Sequence, residues 1–465
     1  MNKNIKRIVL SSLTITIILL LPMVAGIVAY GEDAVGDSVI IDSDFNRTET
    51  EEQEYSYNEL IYTIENGEIT IIGCNPESVE VVIPNKIDGK PVTRIGDTAF
   101  YRCSVLAKVE LPDTIVEIGQ QAFEDCFELK EISIPKAVKV LGGAAFYRCS
   151  SLEKIEIPEG VERIGKETFW ACSSLREIIL PESLTFIGQN AFTLCNSLKE
   201  IKIMKNVAVI APMAFSNCEK LEKILVDKQN ENFISVEGNL FSKDVTEIVA
   251  YASGKLDTEY LMPDTVTRVG DYAFFNCTSL EKITMSNSLQ EISNGSFLGC
   301  TRLAKLNLPN TLKSIGEGAF SDCISLTSVE IPNSVTEISS YAFYGCLELK
   351  KIKIPSSVTE IGDYAFGYTY NEYAQLQELI SDVVIDAPVG SIGNIYAVNN
   401  KLKLARDVES NKLVYIIAVL VVIAIMAVVV IVIYIKKKSE RELLGDIENN
   451  LILEEEDYDD YYPEE

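Results

Sequence analysis

From Phe100 onward the apolar positions of the chain return with a fixed step. Phe100, Phe123, Phe146, Phe169, Phe192 and Phe215 stand 23 residues apart, each followed three residues later by a cysteine, from Cys103 to Cys218. After one interruption the step resumes at Phe274, Phe297, Phe320 and Phe343, with Cys277, Cys300, Cys323 and Cys346; Phe366 ends the series with Thr369 in the cysteine's place.

Within one unit, Leu152, Ile155 and Ile157 alternate with Glu153, Lys154 and Glu156. That spacing predicts a short strand with one buried face. Pro158 ends it by removing a ladder donor, and Val161 to Ile164 begins a second extended piece. Gly165 allows a left-handed turn, and Thr168 to Ala171 reads as a single helical turn that carries Phe169 inward. One such unit exposes its apolar stripe, whereas stacked units bury a continuous core. The expected fold is therefore a strand-rich α/β solenoid of ~23-residue coils.

The unit Leu-x-x-Ile-x-Ile-Pro-x-x-Val-x-x-Ile-Gly-x-x-Ala-Phe-x-x-Cys resembles the BspA-like class of leucine-rich repeats, over roughly 55–404. Val82-Ile83-Pro84 with Ile87-Asp88-Gly89-Lys90-Pro91-Val92 is similar to the entry segment of that class. Gly390-Ser391-Ile392 with Tyr396-Ala397 and Asn399-Asn400 is similar to its closing segment. Asn232, Phe233, Glu237-Gly238, Leu240, Phe241 and Lys243-Asp244, ahead of Met262-Pro263, match a longer unit of the class. The resemblance implies a right-handed leucine-rich-repeat solenoid on a surface protein that adheres to proteins, cells or glycans.

The two ends carry membrane signals. Lys3, Lys6 and Arg7 precede an apolar run from Ile8 to Leu21, with small residues near Ala29 and Gly31. That is the layout of a secretory signal peptide, an uncleaved anchor being the alternative. Leu413 to Ile435 is 23 residues without a charge, long enough to cross a bilayer, and Lys436, Lys437 and Lys438 follow at once. By the positive-inside rule the lysines stay cytoplasmic and the repeats lie outside. The expected organisation is a signal peptide at 1–31, an acidic linker at 32–54, an entry unit at 55–95 and the solenoid at 96–370, with a longer unit about 226–265. A closing unit at 371–405, a transmembrane helix at 413–435 and an acidic cytoplasmic tail at 436–465 complete it.

Charge and composition then remove function classes. The net charge of −28 argues against nucleic acid as a partner. The chain has no histidine, which excludes Ser-His and Cys-His nucleophiles and His-ligated zinc. No catalytic residue and no cofactor is expected. No metal is expected either: Asp42-Ser43-Asp44-Phe45-Asn46 imitates the start of a calcium loop, but Arg47 and Gln53 replace the required Gly and Glu. Ten of the eleven cysteines occupy one repeat position and read as buried free thiols, with disulfides or metal binding as alternatives; Cys74 stands outside the row, unassigned.

Outward strand positions mostly alternate in charge from coil to coil, as in Lys130, Glu153, Arg176 beside Glu131, Lys154, Glu177, which reads as a solvated face. The central outward position is variable: Glu110, Ser133, Glu156, Ile179, Lys202, Leu225, then Thr284, Asn307, Glu330 and Lys353. Ile179, Lys202 and Leu225 are the candidate contact patch. A second row, Tyr101, Tyr147, Trp170, Phe275 and Tyr344, follows the repeat Phe; Tyr147 and Trp170 are its candidate contacts, covering of the turns being the equal alternative. The expected function is non-catalytic adhesion or capture of an extracellular protein or glycan ligand by a membrane-anchored, single-pass protein. The alternative is a transmembrane receptor or scaffold whose acidic tail recruits a cytoplasmic partner through Leu443-Leu444 or Tyr458, Tyr461 and Tyr462.

Overall fold

A computed structural model describes residues 53–371, 375–380 and 382–456. The expected signal peptide, acidic linker and calcium-like stretch lie outside these residues, apart from the last two residues of the linker, as does the end of the tail from 457.

Each coil has three sides. The first strand, such as Lys154–Glu156, buries its middle residue and exposes its flanks. It pairs in parallel with the same strand one coil on: Lys154 with Glu177, Ile155 with Ile178, Glu156 with Ile179. The second strand, such as Arg163–Ile164, pairs in the same way with Phe186–Ile187. Because every partner is one repeat away, a constant unit length keeps all inward side chains in register, and a one-residue slip would turn them outward.

The third side is the Phe turn, and here the structure corrects the expected helical turn. Glu167 (φ 60) and Ala171 (φ 56) are left-handed, as are the residues two before and two after the Phe in the other complete Phe–Cys coils. In the first coil the N–H groups of Thr98, Phe100 and Arg102 donate to the carbonyls of Gln120, Ala122 and Glu124 of the next coil, at 2.9, 2.7 and 2.8 Å. The N–H groups between them fold back locally, Tyr101 to Thr98 and Cys103 to Phe100. A helical turn would aim these N–H groups along its own axis and leave the buried inter-coil seam without donors. The left-handed residues, costing ~1 kcal/mol or more each, turn every second donor toward the next coil.

The Phe rings form two stacks in the interior. Phe100 to Phe215 lie 4.9 to 5.8 Å apart, nearly parallel. Phe274 to Phe366 repeat this at 4.9 to 5.1 Å. Between the stacks Tyr251, 23 residues before Phe274, takes the Phe place and stacks on Phe274 at 5.0 Å. The interruption is an antiparallel meander of Phe233–Val236, Asn239–Ser242 and Glu247–Ala250, turned at Glu237 and Gly238 in left-handed backbone. Its last strand rejoins the second-strand sheet at Arg268–Val269. The buried Asn230 anchors the meander: its Nδ2 donates to the Met204 and Val207 carbonyls at 2.9 Å, and its Oδ1 accepts from Asn232 and Phe233.

Both ends of the stack are closed. Strands Tyr55–Tyr57, Leu60–Glu65 and Glu68–Cys74 form an antiparallel meander, turned at Asn66-Gly67 with both φ positive, and Glu68–Cys74 pairs with Lys90–Ile95 of the first coil. At the other end, helix α1 (Ile392–Asn399), capped by Ser391, delivers Tyr396. The Tyr396 hydroxyl accepts from the Phe366 N–H at 3.0 Å and lies 3.2 Å from its carbonyl, so it occupies the place of a further coil.

Helix α2 (Ala405–Glu456) follows, and its Val419–Ser439 stretch is long and apolar enough to cross a membrane. The helix does not stop at the Lys436–Lys438 triplet: over 436–456 the expected tail is helical. Glu, Leu, Lys and Arg are good helix formers, and this stretch contains no proline, so nothing in it terminates the ladder.

Candidate binding face

Period-2 alternation sends the central residue of most first strands inward and its neighbours outward, and parallel pairing aligns the second outward residue into a column. The strand pairs place Val82 beside Glu110, Glu156 beside Ile179, Lys202 beside Leu225, and Leu261 beside Thr284. Most column residues are polar. Ile179 is 41% exposed and Leu225 36%, while Val82 at 65% and Leu261 at 73% stand out further. Sequence reasoning missed Val82, which stands 28 residues before Glu110 and so falls off the 23-residue count, and it missed Leu261 although that residue stands one 23-residue step before Thr284. The local pattern could have found them: each stands two residues before a proline, in Val82-Ile83-Pro84 and Leu261-Met262-Pro263, as Glu156 stands before Pro158.

The column is bordered by charge pairs that run from coil to coil. Lys154 meets Glu177 at 2.8 Å and Arg176 lies 3.8 Å from Glu153. Lys202 points its Nζ at Asp227, 3.2 Å away. The Gln229 N–H and then Lys202 hold the Asp227 carboxyl below its ordinary range. Lys202 is thus an exposed but already partnered cation, set directly beside Leu225.

Tyr147 and Trp170 lie elsewhere, on the Phe-turn side of the coil. Their rings stack at 4.6 Å and 8° and both are half-buried. Burial, and then Glu167, pushes the Tyr147 hydroxyl up to about 12, so it stays neutral. Ile179, Lys202 and Leu225 therefore form one strip along the first strands, and the aromatic pair forms a second surface. The rest of the aromatic row divides. Tyr101 is exposed, with the Arg102 guanidinium over its ring, but Phe275 and Tyr344 are buried. Tyr272 packs edge-on against Phe275, and the Tyr344 hydroxyl donates to Gln377 of the Leu376–Leu379 strand. An outward place in the repeat is overridden there by bulky neighbours.

The described cysteines are free. Eight of them donate their Sγ–H to the carbonyl of the repeat Phe 26 residues earlier, at 3.1 to 3.4 Å, as Cys172 does to Phe146. Burial pushes these thiols up, so they remain protonated donors rather than nucleophiles. Among the described residues no three His, Cys, Asp or Glu side chains converge as metal ligands. A recess of about 180 Å³ opens at the interruption, lined by Met213, Phe215, Tyr251, Arg268 and Tyr272. Its one cation, Arg268, is already held between Glu247 at 2.7 Å and Glu291 at 3.1 Å.

The repeat geometry has a counterpart among known families. The family described as BspA type leucine-rich repeat region matches residues 93–222 and 246–372, in six copies, which is more than half of the chain. The chain belongs to this family. The gap between the two matched stretches holds the first two strands of the antiparallel meander. No curated protein matches the chain. Among solved structures, a leucine-rich cell-surface protein from Faecalibacterium prausnitzii is 29% identical, with a TM-score of 0.60, and the match covers 74% of this chain and 97% of that one. The pneumococcal vaccine antigen PcpA shares the fold at 21% identity and a TM-score of 0.60, over 76% of this chain and 97% of its own. BspA-type repeats are a family of cell-surface proteins, and their solenoids are typically non-catalytic binding scaffolds.

Proposed function

We propose that this protein is a cell-surface adhesion or ligand-capture protein that binds an extracellular protein through the first-strand side of its solenoid. One observation carries the reading: among the outward first-strand residues aligned by in-register pairing, polar residues give way to exposed Ile179 and Leu225, and again to Leu261 beyond the meander. Their side chains gain most when a partner covers them. Tyr147 and Trp170 offer a second, flatter surface suited to a sugar ring.

Helix α2 supports membrane attachment. Its apolar side chains from Val419 to Ile435 that are described lie exposed, an arrangement that water penalises and hydrocarbon relieves. With Lys436, Lys437 and Lys438 on the cytoplasmic side, the coils face outward. Weak single contacts then gain from many copies held in one bilayer.

The test is binding of the full chain, in detergent or on cells, to a panel of matrix proteins and to a glycan array. A protein ligand lost on Ile179→Ser with Leu225→Ser supports the reading. Unchanged protein binding by that variant removes the patch, and glycan binding abolished by Trp170→Ala moves the site to the turns.

A further inference from the structure

The Phe–Cys row has an exception at its first member. The carbonyl 26 residues before Cys103 belongs to Glu77, which lies in the loop between strands Glu68–Cys74 and Glu80–Val82 rather than in a Phe turn. Cys103 therefore has no repeat carbonyl to which its thiol could donate. Cys74, at the end of the last strand of the entry meander, fills that place: its Sγ lies 3.1 Å from the Cys103 Sγ. Cys103 is buried while Cys74 is half-exposed, so the pair has one sulfur open to solvent and one inside the first coil. The eight cysteines with a carbonyl acceptor are directed away from such pairing.

We propose that Cys74 and Cys103 are a disulfide-forming pair that staples the entry meander to the first Phe–Cys coil, with a small-molecule disulfide such as oxidised glutathione as the oxidant. The Cys74 thiolate attacks one glutathione sulfur, and the first glutathione thiolate leaves. The Cys103 sulfur then attacks the Cys74 sulfur of the mixed disulfide, and the second glutathione thiolate leaves. Two thiols lose their protons to solvent and become one cystine, while one glutathione disulfide becomes two thiols. The sulfurs stand about 1 Å beyond bonding distance, so small side-chain rotations suffice. The closed loop spans 29 residues and includes the first strand of the solenoid. Cross-linking residues so far apart restricts the unfolded chain and stabilises the end of the stack from which fraying would begin.

The purified full chain in detergent is incubated with oxidised glutathione, alkylated under denaturing conditions, digested and mapped by mass spectrometry, beside a dithiothreitol-treated sample. The expected result is a linked peptide pair holding Cys74 and Cys103, two fewer alkylatable thiols than the eleven cysteines, and a higher thermal midpoint that dithiothreitol abolishes. Cys74→Ser is expected to fold and to lose the oxidation-dependent rise in midpoint. Recovery of Cys74 and Cys103 both alkylated, glutathione retained on Cys74, or a Cys103–Cys126 link would each overturn the proposal. Because the map of the wild-type chain decides between these, a misfolded variant leaves the result readable.

Discussion

The Phe row and the outward column run along the same coils with the same 23-residue step, yet only the first keeps one residue type outside the interruption, where Tyr251 takes the Phe place. A Phe ring such as Phe169 lies between Phe146 and Phe192, 5.5 Å from each, with no solvent exposure. Any change there unpacks two neighbours, so every coil is held to the same answer. Column residues touch their lateral partners and water, and nothing in the packing chooses between Glu156 and Ile179. The interior explains why the chain folds, and the column is where a ligand can be written into it. The comparison breaks if Phe169→Ala is tolerated. Truncating a fully buried Phe costs ~3–5 kcal/mol, so that variant should show the largest loss of stability in denaturant titration. A loss within ~0.5 kcal/mol, as expected for an exposed position, would refute the picture of a packed row.

The ends of the stack sharpen the comparison, because there the repeating bonds must be replaced by something outside the repeat. Tyr396→Phe keeps the ring but removes the hydroxyl that serves both the N–H and the carbonyl of Phe366. Leaving a buried backbone donor without its partner costs ~1–3 kcal/mol. Hydrogen exchange should show the loss concentrated in the last coils, with the amides near Phe100 unchanged. Uniform loss of protection along the solenoid would mean that the coils unfold as one unit.

Much of this was legible in the sequence, for a physical reason. A solenoid repeats its local contacts, so the Phe and Cys steps and the strand alternation leave a periodic trace. The left-handed turn residues do not. Glu167, Met213 and Leu194 carry no sign of positive φ, because the inter-coil hydrogen bonds impose it from outside. Burial of Phe275 and Tyr344 was equally hidden, being decided by Tyr272 and by a strand 33 residues downstream at Gln377. The contact of Cys74 with Cys103 joins an irregular end to the repeat and has no period at all. In the candidate site, Ile179 and Leu225 were visible as breaks in a polar series, while the ion pair that occupies Lys202 needed coordinates.

Asp322 carries a charge where the turn row meets the interior, and burial pushes its carboxyl up to about 6. The folded state therefore binds this proton more tightly than the unfolded chain, whose Asp titrates near ~3.9. The stabilising difference is fully present below the unfolded value and is lost as pH rises through the folded one, so this group makes stability fall between pH ~4 and ~6. Asp322→Asn keeps a residue that tolerates the left-handed backbone recorded there (φ 57), as Asn217 and Asn276 do at the matching turns. It should flatten that segment of the pH–stability profile, measured by urea titration at several pH values. An unchanged slope would assign the dependence to other carboxylates.

The smallest effects belong to the charge pairs flanking the column. Lys154 and Glu177 touch at 2.8 Å, but both side chains are more than half exposed. Solvent screens such a pair to ~0.2–1 kcal/mol, and salt weakens it further. Lys154→Ala should therefore lower stability slightly at low ionic strength and by nothing measurable in high salt, whereas the Phe169→Ala loss should persist in both. The separation matters for the column, because a face whose residues contribute so little to folding is free to change them. If Lys154→Ala proved as costly as a buried substitution, the first-strand face would be part of the folding apparatus, and its variety would need a structural cause rather than a ligand.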